Sequence, residues 1–89
     1  MIKITKADYL GNFCIRLFFS NGVQGDFDAA DMLHGMGSLL MPLRDTAYFG
    51  EFFLELGALC WRNGLELSPD SLYRKLEESK LLKKEQAAA

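Results

Sequence analysis

The densest group of side chains that could bind a metal ion is acidic. Asp26, Asp28 and Asp31 lie close together in the chain, and hard cations take several oxygen ligands. Asp26 and Asp28 alternate with apolar residues along a predicted strand, which turns them to solvent, and the glycine and glutamate positions of a calcium-binding loop are absent. We therefore expect solvated aspartates, with Asp28 capping a helix, and predict neither a metal site nor a cofactor.

His34 is the only histidine of the chain. A general base needs a partner within hydrogen-bond reach, and Asp31, three residues earlier, is the nearest candidate in the sequence. Ser20, Ser68 and Ser71 each have a role in a turn or a helix cap, which accounts for them without a catalytic function. The sequence therefore predicts no catalytic residue and a protein that is not an enzyme.

Two cysteines, Cys14 and Cys60, stand far apart in strand-like segments and lack the spacing of metal ligands. The chain has no run of eighteen apolar residues that could span a membrane. Its first residues alternate and lack the apolar block of a signal peptide. These features predict a cytoplasmic protein without membrane contact and with reduced thiols.

The formal net charge of −2 indicates that direct nucleic-acid binding is not the main role, because such binding depends on Lys and Arg that neutralise phosphates. Lys80, Lys83 and Lys84 form a mildly basic group near the C-terminal end. They lie on a predicted helix, where we expect a solvated helical face rather than a phosphate-binding patch.

Alternating apolar residues predict strands, the first three of which form an antiparallel meander. The predicted strands span residues 1–9, 13–19, 23–28, 51–56 and 58–62. Asn21-Gly22 predicts a type I′ hairpin turn, in which both central residues have positive φ. One face of the strands is apolar and is expected to form the core; it carries Phe13, Ile15, Leu17, Phe19, Val23, Phe27, Phe52, Leu54, Leu56, Leu59 and Trp61.

Helix signals occur at three places. Residues 28–35 favour a short helix that Asp28 caps, and residues 43–49 favour a second with Asp45 as N-cap. Ser68-Pro69-Asp70 starts the C-terminal helix, since proline fits the first helical position and an acidic residue suits the first turn. Residues 35–41 are apolar but have no period, and we expect them to lie over an edge of the core.

These segments predict an α+β fold. We expect a mainly antiparallel sheet of about five strands, two short helical turns and a C-terminal helix packed on one face. Residues 1–85 are predicted to form a single domain, which suits a chain of 89 residues with 49% apolar side chains. Residues 86–89 are predicted to form a disordered tail.

Several short motifs occur in an order that resembles a bacterial family. The motifs are Asp8-Tyr9, Phe19-Ser20-Asn21-Gly22, Pro42-Leu43-Arg44-Asp45, Tyr48-Phe49, Trp61-Arg62-Asn63-Gly64 and Pro69-Asp70-Ser71-Leu72-Tyr73. The family is catalogued as a domain of unknown function, number twenty-four forty-two. Arg62 stands where members often have proline, and Ser68 where many have aspartate; both keep the turn and the cap chemically reasonable.

The resemblance implies a short stand-alone domain, or a module that other members carry before a helix-turn-helix domain. Some members are encoded beside a small partner in what looks like a toxin–antitoxin pair. The family offers no catalytic residue to assign to this chain.

The second face of the predicted strands is mixed, although a solvated face should be polar. It carries Cys14, Phe18, Phe53, Ala58 and Cys60 beside Arg16, Glu55 and Arg62. Either the short helices cover this face, or it is an exposed patch at a partner or dimer interface, with Phe18 and Phe53 in the contact.

Three further residues are candidates for contact with a partner: Arg44, Trp61 and Arg62. Each of the first two has a structural alternative. Arg44 could bond nearby carbonyls or a carboxylate, and Trp61 could lie in the core with its indole N–H bonded to an acceptor.

Three functions are compatible with these observations. The first is a non-enzymatic protein-interaction module, the antitoxin-like partner of a small protein, with a homodimer as another form of contact. The second is a regulatory module of a DNA-associated transcription regulator. The third is a small ligand-binding protein or enzyme, which needs a pocket with convergent polar groups.

Overall fold

A computed structural model describes residues 1–84. The elements, in chain order, are β1 (Ile4–Gly11), β2 (Cys14–Phe19), β3 (Val23–Asp28), α1 (Ala30–Leu33), a 3-10 turn (Pro42–Arg44), α2 (Thr46–Phe49), β4 (Phe53–Glu55), β5 (Ala58–Cys60), β6 (Glu66–Leu67), α3 (Pro69–Glu78) and β7 (Lys83–Lys84). The predicted α+β class is confirmed. The tail predicted at 86–89, and residue 85, lie outside the described residues.

The strands are divided between two antiparallel sheets. The first has the order β1-β2-β3-β7 and the second has the order β4-β5-β6. The predicted meander of the first three strands is therefore confirmed. The Ile4 amide donates a hydrogen bond of 2.9 Å to the Gly57 carbonyl, which joins β1 to the turn between β4 and β5.

The turn between β1 and β2 has the type I′ geometry that was predicted for the turn between β2 and β3. Gly11 pairs with Cys14 across a two-residue loop, and the loop residues Asn12 and Phe13 have φ of 52° and 62°. Two consecutive positive φ angles fit a type I′ turn. A bulky residue rarely adopts positive φ, and an edge-on contact of Phe13 with Phe49, at 5.3 Å between ring centroids, offsets part of that strain.

The type I′ turn predicted at Asn21-Gly22 is wrong. The strand register leaves a loop of residues 20–22, and within this loop only Gly22 has a positive φ, of 84°. Such a three-residue loop consists of an ordinary turn followed by one left-handed glycine. The Asn21 side chain instead reaches α3, where its Nδ2 donates a 3.0 Å hydrogen bond to the Tyr73 hydroxyl.

One core lies between the inner face of the first sheet, the second sheet and the helices. Its buried members come from every part of the described chain. They are Ile4, Ile15, Leu17, Phe19, Phe27, Ala29, Leu33, Leu43, Phe49, Leu59, Trp61, Leu72 and Leu76.

Helix α3 packs on the inner face of the first sheet, as predicted, but it ends at Glu78, so Lys83 and Lys84 lie in β7 and not on the helix as expected. The Ser68 hydroxyl caps it by accepting a 3.1 Å hydrogen bond from the Ser71 amide. The helix approaches β3 closely at Gly25, where a Cβ atom would lie only 3.1 Å from a methyl group of Leu76. A side chain at this point would require α3 or the segment after it to shift by a few tenths of an ångström.

The second sheet departs from the predicted faces. Leu56, expected in the core, is 89% exposed and lies with Gly57 at the tight turn between β4 and β5, where both have positive φ. Ala58 and Cys60, expected on the opposite face, are buried. The expected alternation of buried and exposed side chains is absent from β5. It is the central strand of the second sheet, and all three of its residues are buried.

Candidate functional site

The outer face of the first sheet is charged; the sequence placed Arg16 and Asp26 outside the core but did not indicate that they pair. Arg16 forms a bidentate ion pair with Asp26, at 2.8 and 3.1 Å, and Lys6 lies 3.6 Å from Asp8. Phe18 is half-buried, and the Lys6 ammonium stands 5.1 Å from its ring centroid. This face thus combines one cross-strand ion pair, Arg16–Asp26, one ion pair within β1, Lys6–Asp8, and the Phe18 ring, rather than forming an apolar patch.

The Arg16–Asp26 pair changes the acidity of both partners. The hydrogen bond from Arg16 lowers the pKa of Asp26, although partial burial of the carboxyl opposes this shift. The same hydrogen bond raises the pKa of Arg16. Both pKa shifts indicate that Asp26 is ionised and paired with Arg16.

Phe18 and Phe53 do not share one sheet face. Phe18 belongs to β2 in the first sheet and Phe53 to β4 in the second, so the expectation of a common face is wrong. Phe53 is 43% exposed beside its pairing partner Cys60. It remains accessible at the edge of the second sheet.

Trp61 lies in the core. Its indole N–H donates a 2.8 Å hydrogen bond to the Phe49 carbonyl, and its ring lies 5.5 Å from the Phe49 ring. The structural alternative is confirmed, and burial removes this side chain from the candidate contacts.

Arg44 also has the structural role that was its alternative. Its Nε donates to the Leu33 carbonyl at 2.9 Å and its Nη2 to the Gly35 carbonyl at 3.2 Å. These bonds fix the end of α1 and the start of the loop that follows. The guanidinium itself remains exposed.

Arg62 is an exposed cation held in one position. Its Nη1 lies 2.8 Å from a carboxylate oxygen of Glu51, and its guanidinium carbon lies 4.6 Å from the centroid of the Tyr48 ring. A guanidinium stacked on an aromatic ring presents its remaining N–H groups to an incoming partner.

Three large apolar side chains are exposed within residues 35–41, which we call the methionine loop. Met36 is 98% exposed, Met41 62% and Leu39 43%. The expectation that this loop lies over an edge of the core is therefore wrong for these three side chains.

The backbone of the methionine loop is held in place although its side chains are exposed. Arg44 binds the Gly35 carbonyl at one end, and the Asn63 side-chain amide donates a 2.9 Å hydrogen bond to the Leu39 carbonyl. Since Asn63 directly follows Arg62 in the chain, this bond attaches the loop one residue from the Arg62–Tyr48 stack. We call Met36, Leu39, Met41, Arg62 and Tyr48 together the loop–arginine surface.

Most of this surface was missed in the sequence. Its signal was an apolar segment without helical or strand period, interrupted by Gly35, Gly37 and Ser38. Because a segment of this kind has no regular face that could pack against a core, its apolar side chains are left exposed.

Both cysteines are free thiols. Burial, assisted by the charges of Asp28 and Asp26, raises the pKa of Cys14. Burial, assisted by Glu66 and Glu55, raises the pKa of Cys60. The thiolate is the reactive form, so both environments disfavour nucleophilic chemistry at neutral pH.

The acidic group does not converge on one point. Asp26 pairs with Arg16, and Asp28 accepts a 2.9 Å hydrogen bond from the Ala30 amide. Within residues 1–84, no three acidic, histidine or cysteine side chains are placed to hold one metal ion. His34 lines a cleft of about 400 Å³ together with Phe13, Ala30, Leu33 and Arg44, and Asp31 is not among the lining residues.

In the part of the chain that the structure describes, every helix is too short or too polar to cross a membrane.

Comparison with known proteins gives one family. A family model described as "Protein of unknown function (DUF2442)" matches residues 4–78, a range that includes every helix and strand described except β7, together with the loop–arginine surface. Neither the curated proteins nor the solved structures contain a match to this chain.

Proposed function

Since the chain belongs to the DUF2442 family of proteins of unknown function, we propose that it is a non-enzymatic protein-interaction module. The observation that carries this proposal is the exposure of Met36, Leu39 and Met41 on a loop whose backbone is tethered. The proposed partner is a small protein that the domain binds in an antitoxin-like pair within the cytoplasm.

The energetics of such a contact favour the methionine loop. Complete burial of one large apolar side chain contributes about 1.5–3 kcal/mol, and methionine adapts its shape to an irregular partner. The tethers from Arg44 and Asn63 reduce the entropy that binding must remove, because the backbone is already ordered.

The Arg62–Tyr48 stack supplies the polar part of the proposed contact. Arginine and tyrosine are enriched among the residues that dominate interface energies. The aromatic ring and Glu51 hold the guanidinium in place before binding. A partner with a backbone carbonyl or a carboxylate opposite Arg62 would satisfy its remaining donors.

A non-enzymatic role is supported by the state of the chemically capable groups. Asp26 and Asp45 are occupied by an ion pair and a helix cap. The raised pKa values of Cys14 and Cys60 keep both thiols protonated at neutral pH.

The test is co-purification from the native host with a matched pair of variants. Met36→Ser/Leu39→Ser/Met41→Ser removes the apolar part of the surface. Leu56→Ser is the control, because Leu56 is also exposed but lies at the opposite end of β5. We expect a small stoichiometric partner to accompany the wild type and the control but not the triple variant.

Two results would contradict the proposal. One is the absence of any stoichiometric partner, and the other is equal recovery of a partner by the triple variant. Light scattering of the purified protein adds a third measurement. A mass of two chains that falls to one in the triple variant would assign the surface to a second copy instead of another protein.

A further inference from the structure

The cleft beside α1 combines apolar walls with cationic or hydrogen-bonding side chains. Its volume is about 400 Å³ and it is lined by Phe13, Ala30, Leu33, His34 and Arg44. This volume falls in the usual range of small-molecule sites, which pair apolar walls with a few polar groups. No carboxylate is among these lining residues.

Arg44 is prepared to bind an anion. The Leu33 and Gly35 carbonyls fix the guanidinium by accepting two of its N–H groups, and a guanidinium has five. Among the described residues no carboxylate forms an ion pair with it. A fixed guanidinium with donors to spare suits the paired oxygens of a carboxylate or a phosphate.

Two of the carboxylates that neighbour the cleft in the chain are directed elsewhere, and Asp31, which follows Ala30, is not among the lining residues. Asp28 accepts the Ala30 amide, and Asp45 accepts the Ala47 amide. Their negative charge is thus turned toward backbone donors, which leaves Arg44 as the charged group that lines the cleft.

The remaining walls define the rest of the ligand. Phe13 and Leu33 provide apolar surface, and the His34 ring adds a nitrogen donor beside Arg44. Phe13 reaches this position because its positive φ of 62° directs it from the β1–β2 turn toward Phe49. An inorganic ion would leave this apolar wall uncovered.

We propose that this cleft binds a small organic anion, with its carboxylate or phosphate group on Arg44 and His34 and its apolar body against Phe13 and Leu33. The proposal does not depend on the protein-interaction function, because none of these residues belongs to the loop–arginine surface.

The test is a titration of isotope-labelled full-length protein followed by amide chemical shifts. Benzoate and phenyl phosphate carry both parts of the proposed ligand. Benzamide lacks the charge, and acetate lacks the apolar body. We expect the two aromatic anions to saturate shifts at residues 30–34 and at Phe13 and Arg44, with an affinity at least about tenfold above that of benzamide or acetate.

Two substitutions locate the binding. Arg44→Gln removes the guanidinium and is expected to weaken benzoate binding by about tenfold or more. Arg44 also holds the methionine loop, so its substitution could disturb that loop. A second variant therefore fills the cleft and leaves Arg44 unchanged. Ala30→Phe is expected to abolish binding, and Ala47→Phe, at an exposed alanine of the other four-residue helix, is the matched control that retains it.

Three results would overturn the proposal: no saturable shift with either aromatic anion, equal affinity for benzamide and benzoate, or undiminished binding by Ala30→Phe. Shifts confined to the outer face of the first sheet would also overturn it, since they would place the anion on Lys6 or Arg16. Saturation that is lost in Ala30→Phe and kept in Ala47→Phe would establish the site even if Arg44→Gln does not fold.

Discussion

The indole of Trp61 shows how one residue type can support two different expectations. Tryptophan is common at interfaces and in cores because it combines a large apolar ring with one N–H donor. Here the donor meets the Phe49 carbonyl, and the ring packs against Phe49 and Phe52. Whether a tryptophan lies in the core or at an interface depends on whether the fold places an acceptor near its indole N–H. That placement is a property of the tertiary structure.

The Arg16–Asp26 pair gives a pH-dependent prediction at the scale of single residues. Asp26 has a lower pKa in the folded protein than its ordinary value, which is about 3.9. Its contribution to stability is therefore complete above that ordinary value and is lost as the pH falls through the folded-state pKa. We expect Asp26→Asn to be less stable than wild type at neutral pH.

Urea denaturation near neutral pH and again below the folded-state pKa measures this effect. The free energies of unfolding of wild type and Asp26→Asn should converge in acid, because protonated Asp26 no longer attracts Arg16. Arg16→Gln should show the same convergence, since it removes the other partner. A gap that stays constant over this pH range would show that the ion pair does not couple to stability.

At the scale of elements, local chemistry predicted the starts of α2 and α3 and the first three strands of the first sheet. It did not predict β7, and the expected cap of α1 by Asp28 is wrong, since Ala29 is the N-cap. Ser68 and Asp45 accept amide hydrogen bonds as N-caps, because a cap depends on residues next to one another in the chain. A turn was predicted at Asn21-Gly22, but its type was wrong, since strand register decides how many residues a loop contains. The division into two sheets was not predicted for a related reason. The alternation of apolar and polar residues assigns side chains to faces of a strand, but it does not say which strands pair.

The close contact of α3 with the first sheet gives a prediction at this scale. A Cβ atom at Gly25 would lie 3.1 Å from Leu76 Cδ1, 3.1 Å from the Leu81 carbonyl oxygen and 3.2 Å from Leu82 Cδ2. Gly25→Val therefore forces α3 and the segment after it away from β3. Overpacking of this kind costs about 1–3 kcal/mol, which we expect as the loss in free energy of unfolding.

Gln24→Val is the matched control, because its side chain projects from the same strand toward the outer face. Valine there keeps the strand propensity and avoids α3. Urea denaturation followed by circular dichroism compares the two variants. Equal stability of Gly25→Val and Gln24→Val would mean that α3 adjusts to the added side chain at no cost.

At the scale of the whole molecule, the candidate site was only partly predictable. Arg62 was identified from its unexplained place in a distinctive motif, and it lies exposed on Tyr48. The methionine loop was assigned to the core edge because its residues are apolar. Its exposure arises from the fold as a whole: the core is already filled, and Arg44 and Asn63 hold the loop by its backbone alone.

The last prediction separates the interaction surface from the core that supports it. If the exposed side chains of the methionine loop serve only a partner, Met36→Ser/Leu39→Ser/Met41→Ser should change the free energy of unfolding by no more than about 0.5 kcal/mol for each substitution. Leu43→Ala, two residues beyond the loop, removes a fully buried side chain and should cost about 2–5 kcal/mol. Urea denaturation compares them. A loss in the triple variant as large as that of Leu43→Ala would place the methionine loop in the core and remove the basis for the proposed contact.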